Sequence, residues 1–209
     1  TLRHAIDAVG MNAIYEILII GLTTDSFAKE IRNSEKGRKI WEHSLAVALL
    51  SRELGQILGL RGTEEAFICG LLHDIGKILL LRNSFHVYSI LLEEDKENRM
   101  LNGELMTFGY THAQVGSLVA NRWDLPEGVC HTILNHHNPS QAEQFQVIAH
   151  LISAADALAN AHGYGVREMD DENLEESDSA IMLNLSRSYM ELAWERTAGS
   201  IAEITRAFV

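Results

Sequence analysis

Cys69-Gly70-Leu71-Leu72-His73-Asp74-Ile75-Gly76-Lys77 sets an imidazole beside a carboxylate in a run of otherwise apolar residues. Two polar groups left without partners in such surroundings are costly, roughly 1–3 kcal/mol each on the mutational scale. A divalent cation satisfies both, because imidazole nitrogen and carboxylate oxygen are both good ligands and one carboxylate can bridge two ions. Just upstream, Thr63-Glu64-Glu65-Ala66 has the form of an N-cap with acidic first-turn residues, which predicts a helix from about Glu64 to His73 or beyond. Gly76 then predicts a tight helix exit, bringing Lys77 close enough to touch a phosphate.

Helical spacing extends on both sides. Leu2, Ala5, Ile6, Val9, Ile14, Ile17 and Leu18 mark a first helical region, bent at Gly10. Trp41, Leu45, Ala48, Leu49 and Leu54 follow three- and four-residue steps on a helix ending near Gly59. Thr111 caps a helix through Trp123, and Asp124-Leu125-Pro126 turns into another that reaches His136. After a break at Asn138-Pro139-Ser140, a long helix is expected from about Gln141 to Ala161. The acidic, aperiodic stretch Gly163 to Asp178 predicts a loop or partner-exposed flap, and a last helix runs from about Arg187 to Phe208. No convincing β alternation and no internal repeat occurs.

The bulk numbers agree with an all-helical chain. Of 209 residues, 46% are hydrophobic and 22% charged, an ordinary globular composition, and the only prolines are Pro126 and Pro139. The formal net charge of −12 disfavours a nucleic-acid partner, since gripping a phosphate backbone needs clustered Lys and Arg. Lys36, Arg38 and Lys39 are read as a solvated helix start. Cys69 and Cys130, far apart and in apolar company, are expected as free buried thiols of a cytoplasmic protein. No signal-peptide pattern is evident, and Ala13 to Leu22 is too short to span a bilayer, which takes about 20 residues, so no membrane partner is expected.

Ten histidines are more than packing alone requires. Beyond His73-Asp74, the informative positions are His43 in Trp41-Glu42-His43-Ser44, His112 in Tyr110-Thr111-His112-Ala113, the pair His136-His137 before Asn138-Pro139, and Asp156 in Ala154-Ala155-Asp156-Ala157. Taken singly, each is more often a hydrogen-bonded core residue than a ligand. Their order and contexts together make a metal shell the better account. Glu104, ahead of His112, is a candidate support for a ligand histidine; for Glu104 and for Lys77 the competing account is a surface ion pair. His4, His86, His131, His150 and His162 are taken as structural or surface residues.

These segments resemble the HD superfamily of metal-dependent phosphohydrolases, and more fully its HDOD subfamily, the HD-related output domains of bacterial signalling proteins. Trp41-Glu42-His43-Ser44, Leu71 to Lys77, Gly109-Tyr110-Thr111-His112, Trp123-Asp124-Leu125-Pro126, His136-His137-Asn138-Pro139 and Ala155-Asp156 carry the likeness, over about residues 2 to 162. It implies an all-α HD-type helical bundle over residues 1–162, with 163–209 adding an acidic loop and a helix packed on the same domain. It also implies one or two divalent transition-metal ions (Fe, Mn or Zn). His43, His73, Asp74 and Asp156 would hold the first, and Asp74 would bridge to a second held by His112, His136 and His137. In a catalytic version of this site, a water activated near Asp74 attacks phosphorus and Lys77 holds a phosphate oxygen.

Two departures qualify the likeness. Helices that usually precede the Leu2-Arg3-His4-Ala5-Ile6 stretch in this family have no counterpart, as expected of a fragment. The Gly-Tyr-Pro loop of the related cyclic-di-GMP phosphodiesterases is replaced by Asn138-Pro139-Ser140, and Lys39 stands where those enzymes can present an acid, so that activity is disfavoured. The favoured expectation is a signalling output domain with an intact metal site, acting on protein partners or a phosphorylated small molecule. The alternatives are a phosphohydrolase or phosphodiesterase for a nucleotide-like phosphoester and, from the same ligand types, a di-iron oxygenase.

Overall fold

The computed structural model describes residues 20–21, 25–94, 97–165 and 173–208. Among these, eleven α-helices and three short 3-10 turns account for the secondary structure, without a strand. The predicted Leu2–Leu18 helix, its bend at Gly10 and His4 lie outside the described residues.

After α1 (Ala28–Asn33), Ser34 caps α2 (Glu35–Ile57) by accepting from the Gly37 N–H at 3.2 Å. This 23-residue helix is the axis of the fold, and α1, α3 (Thr63–Leu72), α9 (Gln146–Ala161) and α11 (Arg187–Phe208) all pack against it. Its middle section from Trp41 to Leu50 is buried except for Glu42, which is why the surrounding helices can enclose it. Leu45, Leu50, Leu54, Phe67, Leu151 and Ile152 are among the core side chains, each contributing about 1.5–3 kcal/mol by burial. The α2–α3 approach depends on Gly70, where a Cβ would lie 2.7 Å from Ala48 Cα. The second half adds α4 (Ile75–Asn83), α5 (Phe85–Leu91), α6 (Glu97–Phe108), α7 (His112–Arg122), α8 (Glu127–Asn135) and α10 (Asp178–Leu183). There α7 packs on both α4 and α8.

Several boundaries differ from expectation. The cap of α3 is Gly62, in left-handed conformation at φ 79°, and Thr63 is already helical. Gly76 is not a helix exit. It is the second residue of α4, and its role is steric: a Cβ there would lie 1.9 Å from the His112 carbonyl oxygen. The helix expected from Gln141 starts at Gln146, because Pro139–Gln141 and Glu143–Phe145 form separate 3-10 turns with Glu143 at φ 48°. The expected loop from Gly163 to Asp178 contains a 3-10 turn at Leu174–Glu176, and its last residue opens α10, capped by the Ser177 hydroxyl at 3.2 Å from the Ala180 N–H; residues 166–172 of it lie outside the described residues. Lys36, Arg38 and Lys39 do sit at a helix start, paired with Glu93, Glu42 and Glu35. Cys69 and Cys130 are both buried free thiols. No described helix is long and apolar enough to cross a membrane.

Candidate metal centre

The fold delivers the ligand-type residues from separate elements. His43 comes from the middle of α2, His73 and Asp74 from the joint between α3 and α4, and Asp156 from α9. His112 is the first residue of α7, while His136 and His137 follow α8. All seven converge. They form two groups, Asp74 with His112, His136 and His137, and His43 with His73 and Asp156, each with its ligand atoms within 4.8 Å of one another. Asp74 joins the groups. Its Oδ1 lies 3.3 Å from His112 Nε2 and 3.6 Å from His136 Nε2, whereas its Oδ2 lies 3.5 Å from His73 Nε2 and 3.8 Å from His43 Nε2. His43 Nε2 in turn lies 3.0 Å from Asp156 Oδ1.

The far side of each ring is held as well. Nδ1 meets the Gly70 carbonyl at 2.7 Å in His73, the Ile133 carbonyl at 2.7 Å in His136 and the Tyr164 carbonyl at 2.5 Å in His43. A carbonyl only accepts, so these three Nδ1 atoms carry protons and their Nε2 atoms are turned to the centre. His112 is held by a carboxylate instead: its Nδ1 lies 2.9 and 3.0 Å from the two oxygens of Glu104, which also accept from the His112 backbone N–H at 2.8 Å. Glu104 is fully buried and Lys77 is 7% exposed, so neither makes the surface ion pair that was the competing account. The Lys77 ammonium donates to Asp74 Oδ2 at 2.7 Å.

The charges explain the titration tendencies. Burial works against the Asp74 anion, but the Lys77 ammonium and the surrounding His73, His112 and His136 rings outweigh it and hold its carboxyl well below the usual range. Asp156, likewise penalised by burial but hydrogen-bonded to His43, is drawn down to about 2. Burial opposes protonation of His43 and His112, yet the adjoining carboxylates raise both. His73 is pushed down by burial to about 3 and His137 is pushed well down by the same cause.

This donor set fits divalent cations. His73 Nε2, Asp74 Oδ1 and His136 Nε2 are buried polar atoms without a hydrogen-bond partner, and all three point into the cluster. His137 Nε2 faces His112 Nε2 at 2.9 Å, two nitrogens aimed at the same space. The Lys77 ammonium stands against the carboxylates of Asp74, Asp156 and Glu104. Positive charge at the cluster centre would offset that excess and satisfy the orphaned atoms together.

Three supporting residues have no local sequence signal that identifies them. The Tyr88 hydroxyl donates to Glu104 Oε1 at 2.6 Å, and Asn160 donates to Asp156 Oδ1 at 2.7 Å from one turn along α9. Tyr164 acts through its backbone. The histidines set aside as structural or surface residues stand outside the cluster: His150 bonds Ser179, His162 stacks on Trp194, His131 lies against Phe145 and His86 against Phe85.

Comparison with known proteins bears on the family and the fold. A ribonuclease Y of Thermus thermophilus is 30% identical over 166 residues, 79% of this chain. The chain spans only 24% of that protein. Among solved structures, a candidate phosphohydrolase of Shewanella amazonensis superposes with a TM-score of 0.78 at 22% identity, covering 100% of this chain and 77% of the other. An HDOD domain protein of unknown function from Geobacter sulfurreducens gives a TM-score of 0.72 at 24% identity, covering 100% and 74%. At these identities the two structures speak for the helical fold. The HDOD domain family profile matches residues 1–139, so the chain belongs to the HDOD family.

Proposed function

We propose that this HDOD domain is an output module of a bacterial signalling protein, built around a site for one or two divalent transition-metal ions. The observation that carries the metal reading is the shared Asp74, whose two oxygens face two separate histidine groups. His43, His73, Asp74 and Asp156 would hold one ion; Asp74, His112, His136 and His137 would hold the other. Mixed nitrogen and oxygen donors suit iron, manganese or zinc. Such ions supply Lewis acidity and a water of lowered pKa. The chain's own residues fix the imidazoles through Nδ1, set the Asp74 carboxylate between the groups and surround it with apolar side chains. As an output module it would pass a signal to a protein partner or respond to a phosphorylated small molecule. The two free buried thiols suit a reducing cytoplasm.

A second reading, a metal-dependent phosphohydrolase or phosphodiesterase for a nucleotide-like phosphoester, is favoured by one observation. Lys77 is a cation beside the shared carboxylate. With metal charge at Asp74 that ammonium is repelled, and a phosphate oxygen becomes its natural partner. The ribonuclease Y relatives add RNA to the phosphodiesters worth assaying, but the net charge of −12 gives no general grip on a polyanion, so small phosphoesters remain the proposed class.

Protein purified without chelator should carry one to two transition-metal ions per chain by elemental analysis, and Asp74→Ala should lose most of them. Full retention in that variant would place the metal elsewhere. A phosphoester panel with added manganese separates the two readings: the output reading expects metal without turnover. Little or no cyclic-di-GMP hydrolysis is expected, and rapid manganese-dependent hydrolysis, lost in His73→Ala and Asp74→Ala, would overturn the output reading.

A further inference from the structure

We infer that Tyr88 and Glu104 form a buried tether that positions His112, and through it sets the affinity of the Asp74–His112–His136–His137 group selectively over the His43–His73–Asp156 group. The inference rests on the metal reading above and adds to it an asymmetry between the two halves.

Among the four histidines whose Nδ1 partner is given above, three are held by backbone carbonyls. His112 alone of these is held by a carboxylate. A carboxylate partner raises the basicity of the opposite nitrogen as a neutral carbonyl cannot, and it fixes the tautomer more strongly. Glu104 is well suited to this. It is fully buried, and its two oxygens are engaged by the Tyr88 hydroxyl at 2.6 Å, the His112 ring and the His112 backbone N–H. The backbone contact matters because His112 is the first residue of α7, where the N–H groups have no helical acceptor and the helix dipole favours an anion. Ring and backbone of one residue are thus clamped by one side chain.

Tyr88 completes the clamp. It is fully buried on α5, and its hydroxyl removes the rotational freedom that Glu104 would keep if held by His112 alone. The tether therefore runs from α5 through α6 to the start of α7. The hydrogen bonds that join Tyr88 to Glu104 and Glu104 to His112 lead to the Asp74–His112–His136–His137 group, whereas His43 and His73 are held by backbone carbonyls. Both are positioning residues, since along this path they act on the cluster through His112.

The test is a titration of chelator-stripped wild-type, Glu104→Gln and Tyr88→Phe proteins with Mn2+ alone, following bound metal by calorimetry and by electron paramagnetic resonance. Wild-type protein should show two binding steps and, when full, the spectrum of a coupled pair. In Glu104→Gln one step should weaken by about ten- to hundred-fold with the other unchanged, the range usual for loss of a partner behind a metal ligand. The spectrum at the same Mn2+ concentration should then become that of an isolated ion. Tyr88→Phe should weaken the same step by less, with its far-ultraviolet circular dichroism unchanged, and it carries the test if Glu104→Gln does not fold. Two unchanged steps in the variants, or two steps weakened equally, would overturn the tether while leaving the centre intact. Wild-type protein that takes up no Mn2+ would sink the metal reading itself, and the tether with it.

Discussion

At Gly76 the backbone of α4 meets the carbonyl oxygen of His112 so closely that a methyl group would sit 1.9 Å away. Backbone on both sides cannot yield as a flexible side chain would, so Gly76→Ala must push α4 from α7. We expect it to destabilise by roughly 1–3 kcal/mol, the usual range for overpacking, and to reduce metal uptake because Asp74 and His112 flank the contact. A melting temperature equal to wild type would show that the two helices can separate freely. Lys77 offers a different prediction. Its ammonium is the buried countercharge of Asp74, and removing one partner of a buried pair costs about 3 kcal/mol or more. Chelated Lys77→Ala should therefore melt below chelated wild type, and added metal, which supplies positive charge at the same carboxylate, should stabilise the variant more than it stabilises wild type. Equal metal-induced shifts in the two proteins would contradict that exchange of charges. The seven convergent residues were legible through their order and contexts taken together, which carry the resemblance to the HDOD family, and not from any one of them singly. Tyr88, Asn160 and Tyr164 were not, for a physical reason. A tyrosine, an asparagine one turn from an acid and a backbone carbonyl are common everywhere, and only the packed chain gives them their partners.

The capping box at the start of α7 ties local sequence to the centre. The Thr111 hydroxyl accepts from the Gln114 N–H at 3.4 Å and the Gln114 side chain accepts from the Thr111 N–H at 2.9 Å, fixing the turn that presents His112. Thr111→Ala should cost about 1 kcal/mol in denaturant unfolding and weaken metal binding by more than an equally destabilising change on the outer face of α11; identical metal affinity would mean that Glu104 alone holds His112 in place. That cap was readable from the sequence, as were α2, α8 and α11, because caps and long apolar stripes are local signals. Helices α1, α5 and α10 span six or seven residues, less than two full turns, and leave too little periodicity to detect. α4 was obscured otherwise: Ile78, Leu80 and Leu81 are buried with Leu79 partly so, and an apolar run that is covered nearly all round has no polar face to mark its period. Gly76 misled for a related reason, since a glycine that ends a helix and one that admits a neighbouring backbone look alike in a sequence.

Across the whole molecule, the centre joins α2, α7 and α9 with the α3–α4 joint and the chain after α8, so whatever occupies it acts as a cross-link within the bundle. Its effect on stability should depend on pH in a direction set by the groups themselves. In the metal-free fold the carboxylates of Asp156 and Asp74 pull His43 above its ordinary 6.5, and those of Asp74 and Glu104 do the same for His112. Each raised histidine contributes stability that is fully present below the ordinary value and lost as pH rises through the folded value. Asp74 and Asp156, held below 3.8, contribute stability present above that value and lost only in stronger acid. Metal ions require neutral imidazoles and anionic carboxylates, so between about pH 5.5 and 8 protons compete with metal at His43 and His112, and not at the aspartates or at His73 and His137, which burial keeps neutral. The increment in melting temperature on replacing chelator with manganese should accordingly be largest near about pH 8 and shrink on acidification toward about pH 5.5. At a free metal concentration of about one hundred times the dissociation constant, the increment corresponds to about 2.7 kcal/mol for one site. Above the ordinary histidine value chelated protein should show the opposite trend through His43 and His112, losing part of their contribution as pH rises, while His73 and His137, held low by burial, reduce its stability on acidification below that value, so the two melting curves diverge toward alkaline pH. Parallel curves across that range would mean that the bound ion does not displace protons from His43 and His112, and that its ligands lie elsewhere in the chain.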